Sequence, residues 1–373
     1  MYSMTTFLRY QSIFIASLLG VFTLVSLHAQ NDYHNYDDGP YIFHRGDSTD
    51  VCWIDEGMLH KRSYFGKQLV PQGKSREMPS IDGRDIAYYK MLSDQDLVPD
   101  HKVMYQDVSK IAAISDIHGQ YDMMMSLLKE NKIVNKYGNW IYGDGHLVIA
   151  GDIFDRGDKV IDIVWFLVRL EQQARVNGGK VHTLIGNHEW MVLNSDVRYI
   201  HEKYRYTSSR FRRPYSDLFG ESSFLGRWIR SKPIYIKIND VAFVHGGISE
   251  ELFDYMPIDS LNRMYYDHVL MAPENTDDEL ANFLTNAYSP LWYRGYAYKG
   301  EFDRKRTDRL LEKIDAKRII VGHSSVPEIV SIHNNKIIFI DASIKLGKRG
   351  EMLLIENNAI YRADQWGQRS RLN

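Results

Sequence analysis

Five short apolar runs in this chain each end in Asp, Asn or His beside a glycine. Residues 111–114 lead into Ser115-Asp116-Ile117-His118-Gly119, and residues 147–150 into Gly151-Asp152-Ile153-Phe154-Asp155-Arg156-Gly157. Residues 181–185 lead into Gly186-Asn187-His188-Glu189, residues 241–244 into His245-Gly246-Gly247, and residues 319–321 into Gly322-His323-Ser324. Each run has the length of a buried strand, and 337–340 is a further one. The stretches 121–129 and 160–175 read as helices between the early strands, the second apolar almost all round at its start and therefore expected to be buried. This alternation predicts an α/β (α+β) architecture: a β-sheet sandwich flanked by helices, with the later strands, joined by shorter connections, pairing antiparallel. In open α/β sheets the carboxyl edge of the strands is where ligands bind. Glycine at that edge permits tight turns and close backbone approach.

The donors at the strand ends decide the chemistry. Carboxylate, imidazole and amide oxygen suit Mn, Fe or Zn ions. A set without thiolate argues against a structural zinc site. Asp116, His118, Asp152, Asn187, His245 and His323 are more donors than one hydrolytic metal needs, so they imply two ions, with one carboxylate bridging them. Such a pair can clamp the attacking and leaving oxygens of an in-line displacement. Any one fragment is weak, because Asp-x-His recurs by chance and a His ending a strand is usually structural. The ordered conjunction of five carries the inference.

Taken together, these motifs closely resemble the phosphoprotein phosphatase branch of the calcineurin-like metallophosphoesterases, and within it the bacterial Shewanella-like protein phosphatases. The resemblance covers residues 109–364. It implies a metallophosphatase-type sandwich and a metal-dependent phosphatase (a phosphoric monoester hydrolase). It implies that Asp116 and His118 bind one metal, that Asp152 bridges, and that Asn187, His245 and His323 bind the second. A hydroxide between the ions then attacks phosphorus directly, without a phosphoenzyme. Arg156 grips the phosphoryl oxygens and His188, oriented by Asp155, protonates the leaving oxygen. Arg294, in Trp292-Tyr293-Arg294-Gly295, is the candidate second phosphate-binding arginine, set against the plainer alternative of a surface arginine in a turn. Two departures bear on substrate. Ser115 stands where the branch usually has glycine, and Ile340-Asp341-Ala342-Ser343 replaces the tyrosine-bearing loop of the eukaryotic Ser/Thr enzymes.

The rest of the chain is less specific. Residues 1–29 have the pattern of a secretory signal: one charge at Arg9, an apolar run, and Leu27-His28-Ala29 before Gln30. That run is short for a transmembrane helix. A periplasmic or secreted protein is therefore expected, with no stable membrane insertion after cleavage. Residues 30–108 read as an N-terminal extension, β and irregular, with strands near 41–43 and 51–54 and turns at 72–74 and 82–84. The metallophosphoesterase domain spans 109–365, with insertions at 195–233 and 250–298. The single cysteine, Cys52, excludes an intrachain disulfide and reads as a small buried hydrophobe. A formal net charge of −2 gives no reason to expect a nucleic-acid partner. The segment 198–213 interleaves arginines with Tyr199, Tyr204, Tyr206 and Phe211. It reads as a solvated helix face with inward aromatics, in preference to a strip that steers phosphopeptides.

The expected function is phosphomonoester hydrolysis on a phosphorylated protein (phospho-Tyr or phospho-Ser/Thr). The alternative is a small phosphoester or dinucleoside polyphosphate, and the last choice is a non-catalytic binding protein on the same scaffold.

Overall fold

The computed structural model describes residues 36–65, 97–99, 101–272, 277–298 and 302–372. The expected signal segment and the turns expected at 72–74 and 82–84 lie outside the described residues. Among the described residues no helix is long and apolar enough to cross a membrane.

Strands β1 (Asp38–Arg45), β2 (Ser48–Asp55) and β3 (Met58–Phe65) form an antiparallel meander. The main body holds β4 (Met104–Tyr105), β5 (Lys110–Ile114), β6 (His146–Ile149), β7 (Lys180–Thr183), β8 (Tyr235–Ile238) and β9 (Val241–Val244). It continues through β10 (Arg318–Val321), β11 (Val330–Ile332), β12 (Ile337–Phe339), β13 (Glu351–Glu356), β14 (Ala359–Asp364) and β15 (Arg369–Arg371). These strands make two six-stranded sheets, in the orders β11-β12-β10-β9-β8-β4 and β15-β14-β13-β5-β6-β7.

The alternation of side chains along a strand builds a four-layer sandwich. Ile111, Ala113, Val148 and Ala150 of one sheet meet Val241, Phe243, Ile320 and Ile338 of the other in a shared buried core. The intervening residues Ala112, Ile114, Leu147 and Ile149 face outward onto helices α1 (Tyr121–Glu130) and α2 (Val160–Val176). On the far side Ala242, Val244, Ile319 and Val321 pack with Leu310 and Leu311 of a helix spanning Arg304–Lys313. From residue 109 on, the expected helices and strands thus stand within a residue or two of their predicted bounds, while β1 and β2 each begin three residues before the strands expected at 41–43 and 51–54.

One expectation needs correcting. The later strands β9, β10 and β12 pair in parallel, not antiparallel. The β9–β10 connection is long and carries a crossover helix, and parallel neighbours require such a crossover. The expected antiparallel pairing does hold for β8–β9, β11–β12, β13–β14 and β14–β15, and β13 also pairs antiparallel with β5.

The meander is docked on α2 and on α4 (Glu202–Phe211) and α5 (Phe224–Arg230), where α3 (Asn187–Leu193) precedes these last two. Tyr41 and Phe43 bury against Phe211, and Trp165 on α2 donates its Nε1–H to the Pro40 carbonyl at 3.0 Å while stacking on Phe224. Trp165 is fully buried, so Trp165→Ala would cost about 3–5 kcal/mol. In α4 Tyr204 and Tyr206 are buried while Arg205 and Arg210 are exposed, as the solvated-face reading expected.

Candidate metal centre

The carboxyl ends of both sheets meet at one edge. The Gly322 N–H donates to the His245 carbonyl at 2.8 Å, and the His323 N–H donates to Asp116 Oδ2 at 2.9 Å. Backbone contacts lock the loops after β5 and β6 together: His118 N–H to Asp152 O at 2.9 Å, Gly119 N–H to Ile153 O at 3.0 Å, and Gly157 N–H to His118 O at 3.0 Å. A Cβ on Gly119 would lie 2.6 Å from the Gly157 carbonyl carbon, so this approach needs glycine. Asp116, His118, Asp152, Asp155, Arg156 and His323 all have positive φ, between 47° and 71°. Left-handed backbone at non-glycine residues costs of order 1–3 kcal/mol each and clusters at functional sites.

Asp152 sits at the centre. Its Oδ2 lies 3.3 Å from His245 Nε2, 3.5 Å from His118 Nε2 and 3.9 Å from His188 Nε2. Its Oδ1 accepts the His188 N–H at 3.0 Å. One carboxylate therefore faces histidines of both sheets, the placement a bridging ligand requires. Although burial opposes it, these imidazoles hold the Asp152 carboxyl well below the usual carboxylate range.

His118 donates Nδ1–H to the Phe154 carbonyl at 2.6 Å, which leaves Nε2 buried without a partner. Burial pushes its pKa down to about 3. His323 Nε2 is likewise buried and unpartnered. His245 donates Nδ1–H to the Ala150 carbonyl at 2.8 Å, which aims Nε2 at Asn187 Oδ1 (2.9 Å) and Asp152 Oδ2 (3.3 Å). A ring nitrogen facing two oxygens requires a positive charge there, from a proton or a metal. Burial alone would lower the His245 pKa, but Asp152 outweighs it and the value rises to about 9.

These residues fit a cation. Donor atoms of His118, Asp152 and His188 lie within 4.8 Å of one another, and so do those of Asp152, His245 and His323. Unpartnered buried imidazole nitrogens carry a desolvation cost that a metal would relieve. Asp116 sits less centrally. Its Oδ1 is 3.9 Å from His118 Nε2 and 3.9 Å from Lys345 Nζ, while its Oδ2 is taken by Ser115 Oγ–H and the His323 N–H. Burial, then Asp341 and Asp152, raise the Asp116 pKa to about 8.

Around this core, His188 pairs through Nδ1 with Asp155 Oδ2, and both are buried. Burial would lower the His188 pKa, yet Asp152 and Asp155 raise it overall. Arg156 is exposed; its N–H donates to the Tyr199 carbonyl at 2.9 Å and its guanidinium lies 5.8 Å from the Tyr199 ring centre. Arg294 is exposed, and its Nη1 donates to the His323 carbonyl at 2.8 Å. It also lines a cavity of about 510 Å³ with Tyr288, Trp292, Tyr293 and Tyr298.

Two contributors, Glu189 and Lys345, were not singled out by sequence, and a third, Tyr199, is exposed where the sequence reading turned it inward. Glu189 is buried and accepts four backbone N–H bonds, from Asp152, Ile153, Phe154 and Gly186, at 2.7–3.1 Å. It staples the β6 loop to the start of α3. Its spacing from Gly186 is that of the capping-box carboxylate, a signal present in the motif. Tyr199 stands 5.5 Å from the His188 ring and is exposed at the mouth. Lys345 approaches Asp116 from a distant segment, and no local pattern announces it.

A family model for calcineurin-like phosphoesterases matches residues 109–327. The chain is 30% identical over 256 residues to Shewanella-like protein phosphatase 1 of Plasmodium berghei, covering 64% of this chain and 67% of that protein. It is 23% identical to Shewanella-like protein phosphatase 2 of Arabidopsis thaliana, over 65% and 73% of the two chains. Among solved structures it is similar to a cold-active protein-tyrosine phosphatase of a psychrophilic Shewanella species. That match has a TM-score of 0.81 at 38% identity and covers 91% of this chain and all of the other.

Proposed function

The chain belongs to the calcineurin-like phosphoesterases and is a metal-dependent phosphatase, and we propose that it dephosphorylates phosphotyrosine in proteins outside the cytoplasm, using a two-metal centre. The observation that carries the two-metal reading is the central Asp152 carboxylate, set between His118 of one sheet and His245 of the other. Asp116 and His118 would hold one ion, Asn187, His245 and His323 the other, and Asp152 both. Mn, Fe or Zn ions held there would supply Lewis acidity toward phosphoryl oxygens and would lower the pKa of water toward neutrality.

The remaining work falls to side chains of this chain. Arg156 and Arg294 bind and orient the phosphoryl oxygens, a task the planar guanidinium suits. His188 carries the proton for the leaving oxygen on Nε2, since Nδ1 is engaged by Asp155. Although burial opposes it, Asp152 and Asp155 raise its pKa overall, which favours the protonated ring a proton donor needs. Tyr199, between Arg156 and His188, gives the leaving side of the site an aromatic wall. That wall supports an aromatic leaving group, as does the similarity to a protein-tyrosine phosphatase. The secretory pattern of residues 1–29 supports export.

The test is a pair of peptides of one sequence carrying phosphotyrosine or phosphoserine. We expect kcat/KM for phosphotyrosine to be higher by about tenfold or more, which corresponds to one aromatic contact of roughly 1.4 kcal/mol. A preference for phosphoserine would overturn the substrate assignment. Mature protein from its native host should begin near Gln30; an intact Met1 on cytosolic protein would overturn export.

A further inference from the structure

The loop after β12 replaces the tyrosine-bearing loop of the eukaryotic enzymes, and the mechanism above leaves it without a role. It begins at Asp341, which is fully buried, and continues through Ser343 in left-handed conformation (φ 68°) into a short turn carrying Lys345. Lys345 Nζ donates to Asp341 Oδ2 at 2.6 Å and to Ser325 Oγ at 2.5 Å. Ser325 Oγ–H in turn donates to the same Asp341 oxygen at 2.7 Å. Only 16% of the Lys345 side chain is exposed, so its ammonium is fixed. That ammonium lies 3.9 Å from Asp116 Oδ1, the oxygen left open by the bonds to Ser115 and His323. The other Asp341 oxygen, Oδ1, is buried with no hydrogen-bond partner.

We propose that Lys345 and Asp341 form a charge-balancing pair that sets how tightly the Asp116 side of the centre holds its metal. Lys345 is the resident counter-ion of Asp116, and Asp341 anchors it and moderates its repulsion of an incoming cation. The proposal rests on the reading that Asp116 and His118 are metal ligands. A metal bonded to Asp116 stands roughly 2 Å from the carboxylate oxygen, and so within about 6 Å of the Lys345 ammonium. Even with water-like screening, one unit charge at that distance from a divalent ion changes its affinity about tenfold. Lys345 and Asp341 therefore act on the metal in opposite directions. Both are positioning residues and neither need touch substrate.

The test is a titration of metal-free protein with Mn²⁺, following free Mn²⁺ by electron paramagnetic resonance. The wild type comes first; if it takes up no Mn²⁺, the ligand assignment falls and this inference falls with it. If the wild type binds, K345M should bind one Mn²⁺ about tenfold or more tightly, and D341N should bind one about tenfold more weakly. The K345M/D341N double variant and K345R should each stay within about threefold of wild type. Purely structural roles would weaken binding in both single variants, and that result, or no change in either, would overturn the proposal. K345Q serves if K345M does not fold, since it removes the same charge.

Discussion

The two edges of the β5-β6-β7 sheet both bury histidines, yet only one edge is built for chemistry. At the amino edge His182 Nε2 and His146 Nδ1 lie 3.0 Å apart in a mutual hydrogen bond. Tyr105 packs against both rings, and Lys180 Nζ donates to the Tyr105 hydroxyl at 2.9 Å. Burial, then Lys180, pushes the His146 pKa down to about 4; burial, then His146, pushes His182 well down. At the carboxyl edge His118, like His323 brought in from the facing sheet, keeps an unpartnered Nε2, and buried carboxylates stand beside both on left-handed backbone. Burial of a histidine is thus uninformative by itself. What marks a metal site is a buried ring nitrogen left without a partner beside carboxylates. A neutral pair ringed by lysines is a packing device.

The comparison breaks most visibly at Asp152. Asp152→Asn should lower kcat/KM by about 10³-fold or more, since a metal centre supplies several kcal/mol of transition-state stabilisation. His182→Phe at the opposite edge should leave folded protein within a few-fold of wild type. Equal losses in the two variants would erase the distinction between the edges.

A smaller effect sharpens the roles within the carboxyl edge. His188 stands among the potential donors but is held by Asp155. As proton donor, its importance must grow with the basicity of the leaving oxygen. His188→Asn should depress hydrolysis of a phosphoserine peptide about 10²-fold and affect p-nitrophenyl phosphate far less, with metal content retained. Matching losses on both substrates would make His188 an orienting residue.

The smallest effect concerns pH. The folded pKa of His146 lies below its unfolded value of about 6.5. The unfolded chain therefore binds the proton first. The stability that follows is fully present above pH ~6.5 and is lost as pH falls toward the folded value near 4. His146→Phe should flatten the dependence of the urea midpoint on pH in that window by about one proton's worth of linkage. An unchanged slope would contradict the neutral-pair assignment.

How much of this was legible in the sequence depended on range. Strand ends and their donors were legible because apolar runs of three to five residues stop just before Asp116, Asp152, Asn187, His245 and His323. The parallel pairing of β9, β10 and β12 was not, because period and length carry no strand direction. Strand β3 was missed because Lys61, Arg62 and Ser63 interrupt its apolar pattern. Glu189 was visible as a motif letter, but its four backbone partners exist only once the β6 loop folds over α3. Lys345 reaches Asp116 across more than two hundred residues of chain, and only the closed sandwich brings them together.

The central claim is that the carboxyl edge holds two ions astride Asp152. Anomalous diffraction from crystals grown with manganese tests it directly. Two peaks should flank Asp152 Oδ2, one on the side of Asp116 and His118, the other on the side of Asn187, His245 and His323. A single peak, or peaks bonded to other side chains, would contradict the account.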